Sequence, residues 1–135
     1  MTSPGEVESV HTLRTAVARY EELRSREAIM GIAADDAPDV ADAEHLTAAE
    51  VLELLALGEV IARKAGYGRQ FSVRTARAAG ASWTAIGRAL GTTKQAAWEA
   101  HTRWIDGQSA EHAANGYSGL DDVAAADARR LAGSA

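Results

Sequence analysis

The chain has no cysteine in its 135 residues. That excludes a disulfide framework and any thiolate metal site. Proline occurs twice, at Pro4 and Pro38, so nothing after Pro38 carries the residue that most strongly breaks helices. Aromatic residues make up 5% of the chain, with a single Phe, so a core must be built mainly from aliphatic side chains. No apolar run approaches the roughly 20 residues that span a bilayer. The first residues lack the basic region and apolar stretch of a signal peptide. No nucleophile–base pairing, phosphate loop or clustered carboxylate pair stands out, so neither an enzyme nor a bound cofactor is expected. The four histidines, His11, His45, His101 and His112, offer no three-ligand set, so no metal is expected.

What is present is alanine, arginine and acid. Both alanine and arginine favour helix, and the length allows one domain with a modest core. The net charge of −5 argues at first against a nucleic-acid partner. Its distribution reverses that impression. Residues 60–105 carry Arg63, Lys64, Arg69, Arg74, Arg77, Arg88, Lys94 and Arg103 against Glu99 alone, a net +7, which leaves −12 for the rest.

Ser3-Pro-Gly-Glu6 has the form of a capping box with Pro at the first helical position. Val7, Val10, Leu13, Val17, Tyr20 and Leu23 then recur at three- and four-residue intervals. This predicts one long amphipathic helix to about Ile29 or Met30, stopped at Gly31. Residues 33–46, with Asp35, Asp36, Asp39, Asp42 and Pro38, read as a solvated acidic loop lacking the spacing of an EF-hand. Thr47-Ala-Ala-Glu50 is a second capping box. The helix it opens, to about Ala65, is apolar on most sides, which predicts a central position. Arg69 to Ala79 forms a further helix, with Phe71 and Ala76 inward and Arg74 and Arg77 outward. Ser118-Gly-Leu-Asp121 looks like a start for a last helix with Val123 and Leu131 on its apolar face.

The most informative stretch is Gly80 to Ile105. Ser82 is a suitable N-cap, Ile86 and Leu90 share a face, and Gly87 between them permits close approach of another helix. Gly91 suits a chain leaving a helix. Thr92 and Thr93 can cap the next helix, with Lys94 and Gln95 in its first turn. On that second helix Ala97, Ala100 and Trp104 fall on one side, with His101 at the edge. Lys94, Gln95, Trp98 and Thr102 fall on the other, with Glu99 at the margin and Ile105 nearly in line with Trp98.

This pattern resembles the helix-turn-helix superfamily of DNA-binding domains, over roughly residues 69–105. Gly91-Thr-Thr-Lys-Gln95 looks like the start of the recognition helix in lambdoid phage repressors. The wider run resembles small helix-turn-helix proteins of high-GC bacteria. Ala97 departs from the pattern, because that core position usually carries Val or Ile. The resemblance implies an all-α orthogonal helical bundle with a three-helical helix-turn-helix unit, plus a long N-terminal helix and a short C-terminal helix. The expected organisation is an N-terminal packing or dimerisation helix over 1–32, an acidic loop over 33–46, a DNA-binding segment over 47–116 and a C-terminal helix and tail over 117–135.

The function this implies is sequence-specific binding of double-stranded DNA by a bacterial, cytoplasmic, nucleoid-associated transcriptional regulator, plausibly a homodimer. The helix at about 93–105 would enter the major groove. Lys94, Gln95, Trp98 and Glu99 would contact bases, since these side chains match base-edge donors and acceptors or a thymine methyl. Arg69, Arg74, Arg77, Ser82, Arg88, Thr92, Thr93 and Thr102 would contact phosphates. Two alternatives stand beside it. One is a protein-interaction module on the same scaffold, antitoxin-like or sigma-factor-regulating, suggested by the acidic remainder and by Trp98 and Ile105. The other is a nucleoid-associated protein that binds many sites.

Overall fold

The computed structural model describes residues 3–36 and 45–135. Among these, every regular element is a helix: α1 (Pro4–Val10), α2 (Leu13–Asp36), α3 (Ala48–Tyr67), α4 (Arg69–Ala78), α5 (Trp83–Leu90), α6 (Lys94–Asn115) and α7 (Asp122–Ala132). The all-α class expected from composition and periodicity is therefore found. No helix among the described residues is long and apolar enough to cross a membrane. The chain divides into two compact units, Met1–Tyr67 and Gly68–Ala135. Helix α3, grouped in the sequence with the segment 47–116, thus lies in the first unit.

The first unit opens as its capping box specifies. The Ser3 backbone N–H donates to Glu6 Oε2 at 3.1 Å, and the Glu6 N–H donates to Ser3 Oγ at 3.3 Å. The single long helix expected next is instead two. His11 is extended (φ −122°, ψ 138°). Thr12 and Thr15 then exchange backbone-to-hydroxyl hydrogen bonds at 3.0 and 3.2 Å. A second reciprocal cap thus restarts the helix, with Thr standing where Glu usually does. The interruption changes the stripe: Val7, Ala16 and Leu23 are buried, whereas Val10 and Leu13 are exposed. At its far end α2 passes through Gly31 to Asp36, so the beginning of the expected acidic loop is helical. Asp39 and Asp42 of that loop lie outside the described residues.

Helix α3 begins with the expected reciprocal bonds of Thr47 and Glu50, each 3.1 Å. It continues past Ala65 and Gly66 to Tyr67. It is not apolar on most sides in its packing. Leu54, Ala56, Leu57 and Val60 are buried with Val7, Ala16, Leu23 and Leu46. Leu52 and Leu55, one turn apart on the opposite side, are 48% and 66% exposed.

Two arginines of α2 tie it to α3 beside this core. Arg19 forks onto Glu53, with Nε–Oε1 2.9 Å and Nη2–Oε2 3.2 Å. Arg26 forks onto Glu50, with Nη1–Oε2 2.6 Å and Nη2–Oε1 3.3 Å. The hydrogen bonds from Arg26 and Arg19 hold the Glu50 and Glu53 carboxyls, respectively, below the usual carboxylate range. Such depressed carboxyls stabilise the fold fully above their unfolded value of 4.5 and lose that contribution as the pH falls through the lower folded value. All three Trp lie in the second unit, so tryptophan fluorescence follows that unit alone, while far-UV circular dichroism reads the helices of both. We expect acidification below about pH 4.5 to lower the temperature of the circular-dichroism transition that tryptophan fluorescence does not report. Glu53→Gln should shrink that acid-side loss; an identical pH profile in the variant would contradict the assignment.

The second unit surrounds a core of Val73, Trp83, Ile86, Ala97, Ile105, Leu120, Ala125, Ala128 and Ala132. Its last helix differs from expectation. Asp121 itself is the N-cap, accepting from Ala124 N–H at 2.8 Å, rather than the partner of a Ser118 cap. The face α7 buries is Ala125, Ala128 and Ala132, while Val123 is 80% exposed. Small side chains of this kind permit close packing of a helix on its neighbours. Phe71, expected inside, is half exposed but sets its ring edge against Trp104 at 4.9 Å. Helix α6 runs unbroken through Gly107 and ends at Gly116.

Candidate nucleic-acid interface

The two helices and tight turn expected within Gly80–Ile105 are α5, residues 91–93 and α6. Ser82 Oγ caps α5 by accepting from Ala85 N–H at 3.1 Å, and Thr93 Oγ1 caps α6 by accepting from Ala96 N–H at 3.0 Å. Gly91 closes α5 in the left-handed region (φ 70°), a conformation glycine adopts without a Cβ clash. Gly87 is required for a different reason. A Cβ there would lie 2.9 Å from the backbone oxygens of Thr92 and Thr93. The turn rests directly on the middle of α5, and Thr92 N–H donates to the Gly87 carbonyl at 2.8 Å. Leu90, expected to share the inward face of Ile86, is exposed at the helix end, while Ile86 is buried.

Helix α6 buries Ala97, His101 and Ile105, spaced four residues apart. His101 is thus a core residue rather than an edge residue. Its Nδ1 lies 2.9 Å from Gln70 Oε1, and its ring stacks on Trp104 at 5.4 Å. Burial, and then the charges of Arg74 and Arg77, push its pKa down, so the ring is held neutral. With Gln70 Oε1 as acceptor, Nδ1 carries the hydrogen. Nε2 is buried without a partner among the described residues.

Three expected contacts are redirected. Trp98 is half buried, and its Nε1–H donates to the Gly133 carbonyl at 2.8 Å, so its polar handle is not presented to a base. Ile105 is fully buried and leaves nothing for a second protein. Arg77, expected to bind phosphate, donates from Nε to the Leu131 carbonyl and from Nη1 to that of Ala81, both at 2.9 Å. It also lies over the Trp83 ring, 5.1 Å from its centre. Trp83 Nε1–H completes the set by donating to the Ala132 carbonyl at 2.7 Å. Donors from α4, α5 and α6 thus meet three consecutive carbonyls at the end of α7. A helix end leaves such carbonyls without partners inside the helix.

The other expected contacts remain at the surface or nearly so. Lys94, Gln95 and Glu99 are exposed, and Gln95 Nε2 donates to Glu99 Oε1 at 3.0 Å. Thr102 is half buried and bonds the Glu99 carbonyl of its own helix. The side-chain oxygens of Ser82 and Thr93 accept from their own helices. Arg69 and Thr92 line one groove of about 420 Å³ with Gln70, Leu90, Ala97 and Ala100. Gln70 and this groove were not legible in the sequence. The small side chain at Ala97 points instead to close packing of α6, and Ala97 is indeed buried in the core.

Charge sharpens the picture. Arg63 and Lys64, counted with the basic segment in the sequence, belong to the first unit and meet Glu59 and Glu8. Arg19, Arg24 and Arg26 are also paired with glutamates there. In the second unit Arg69, Arg74, Arg88, Lys94 and Arg103 form no ion pair among the described residues, although Arg129 and Arg130 pair with Asp106 and Asp127. Unit by unit, six basic residues stand against thirteen acidic ones in the first, and eight against six in the second.

No family model, curated protein or solved structure matches this chain. Gly87→Ala should force the turn off α5 and lower the stability of the second unit by about 1–3 kcal/mol, read by tryptophan fluorescence in urea. Gly107→Ala, whose Cβ would meet nothing within 4 Å, should be neutral or slightly stabilising. Equal effects at both positions would refute the close-approach constraint.

Proposed function

We propose that the second unit is a sequence-specific reader of double-stranded DNA in a transcriptional regulator. The reading takes α4, α5 and α6 as a three-helical helix-turn-helix unit, with the first half of α6 in the major groove. The observation that carries it is the set of five cations, Arg69, Arg74, Arg88, Lys94 and Arg103, that form neither an ion pair nor a hydrogen bond through their side chains among the described residues, in a unit whose neighbour neutralises most of its own. Unpaired guanidinium and ammonium groups are the groups that replace counterions on a phosphate backbone.

The outward face of α6 supplies base readers. Lys94 can donate to guanine, Gln95 can pair with adenine, and Glu99 can accept from cytosine. Arg69, Arg74, Arg88, Thr92 and Thr93 serve the backbone. Trp98 and Arg77 drop out of direct contact and instead hold α7 in place. The acidic first unit, with its excess of seven negative charges, opposes dense coating of DNA and favours selective binding over a nucleoid-associated role.

A second reading draws on Leu52 and Leu55, whose exposed side of α3 suits contact with another protein chain, either a second copy or a regulatory partner. The two readings are compatible, because a paired reader gains affinity and specificity from two half-sites.

Selection from random duplexes, followed by fluorescence anisotropy, tests the DNA reading. We expect one enriched sequence. Lys94→Ala with Gln95→Ala should erase most of its advantage over a scrambled duplex, a loss of roughly ten- to a hundred-fold. Arg88→Ala should weaken both duplexes equally and reduce the salt slope by about one. Failure to enrich any sequence, or an undiminished preference in the double variant, would overturn the proposal.

A further inference from the structure

The groove beside the start of α6 has a composition that a bare phosphate contact does not need. It is a half-open groove of about 420 Å³, room for a small organic molecule rather than for one phosphate oxygen. Its polar lining includes Arg69, which forms no ion pair among the described residues, and Thr92 of the turn, whose side chain caps no helix among them. Gln70 stands with them. Its Oε1 lies 2.9 Å from His101 Nδ1, and its Nε2–H₂ donates to no group among the described residues. The rest of the lining is apolar: Leu90 with Ala89, Ala96, Ala97 and Ala100. Ala97 is buried in the core, whereas Ala100 is only half buried, so a larger residue at position 100 would occupy part of the groove.

A cation and two neutral donors beside an apolar lining match a small organic anion, a carboxylate or phosphate monoester carried on a compact apolar body. We propose that this groove is an effector site for such an anion. Because Arg69 and Thr92 are also assigned to the DNA backbone, an occupied groove removes two phosphate contacts and lowers DNA affinity. That regulatory half rests on the DNA reading, whereas binding of the anion does not.

Phenyl phosphate is the probe, titrated into the full chain without DNA and followed by heteronuclear NMR and calorimetry. We expect saturable binding with shifts at Arg69, Gln70, Thr92 and Ala100. Arg69→Ala should weaken it about ten-fold, which corresponds to the loss of one charge-assisted hydrogen bond. Ala100→Leu, checked for native tryptophan fluorescence, should block binding by volume. Arg14→Ala, an exposed arginine of the first unit, should leave it unchanged. No saturable shift, or equal weakening by Arg14→Ala and Arg69→Ala, would overturn the site. In a second arm the probe is titrated into the complex with an enriched duplex. Displacement supports the regulatory role, and simultaneous binding without displacement refutes it. Probe binding by a chain that binds no duplex would uphold the groove and remove the DNA reading instead.

Discussion

The second unit depends on one steric fact: backbone oxygens of the turn occupy the space a side chain at position 87 would need. Only glycine lets the turn touch α5 there. From that contact follow the left-handed exit at Gly91, the cap at Thr93 and the direction in which α6 leaves. The burial row Ala97, His101 and Ile105 then fixes the rotation of α6 about its axis. What faces outward is decided by what must face inward: Gln95, Glu99 and Arg103 remain for a partner because the row of four-residue spacing is already used.

A second constraint closes the unit. Helix α7 has little hydrophobic area of its own, since its buried face is three alanines. It is held by Arg77, Trp83 and Trp98, whose N–H groups end on the carbonyls of Leu131, Ala132 and Gly133. Small side chains allow close approach, and close approach lets long donors reach backbone oxygens. Two residues that look like nucleic-acid ligands in the sequence are thereby explained as the grip on a helix end.

Much of this organisation was legible in the residues. The caps at Ser3, Thr47, Ser82 and Thr93, the exit at Gly91 and the approach at Gly87 are local rules, in which a hydroxyl or a missing Cβ acts on its own backbone. Their positions carry over directly. The restart at Thr12 was written in the same chemistry but was masked by an apolar period that runs through it. The roles of Trp98, Arg77 and Ile105 were not legible, because each depends on where α7 returns, and a stripe of alanines gives no periodic signal of its own. The basic segment was legible as charge but not as availability. Only packing separates Arg63 and Lys64, which are paired, from Arg88 and Lys94, which form no ion pair among the described residues.

The central claim is that the exposed start of α6, in a unit with five cations that form no ion pair among the described residues, meets a DNA duplex. Titration of an enriched duplex into isotopically labelled full-length chain, read by backbone amide shifts, tests it most directly. We expect the largest shifts at residues 92–99, with further shifts at Arg69, Arg88 and Arg103 and none in α2 or α3. Shifts confined to the first unit, or no shifts at any duplex concentration, would contradict it.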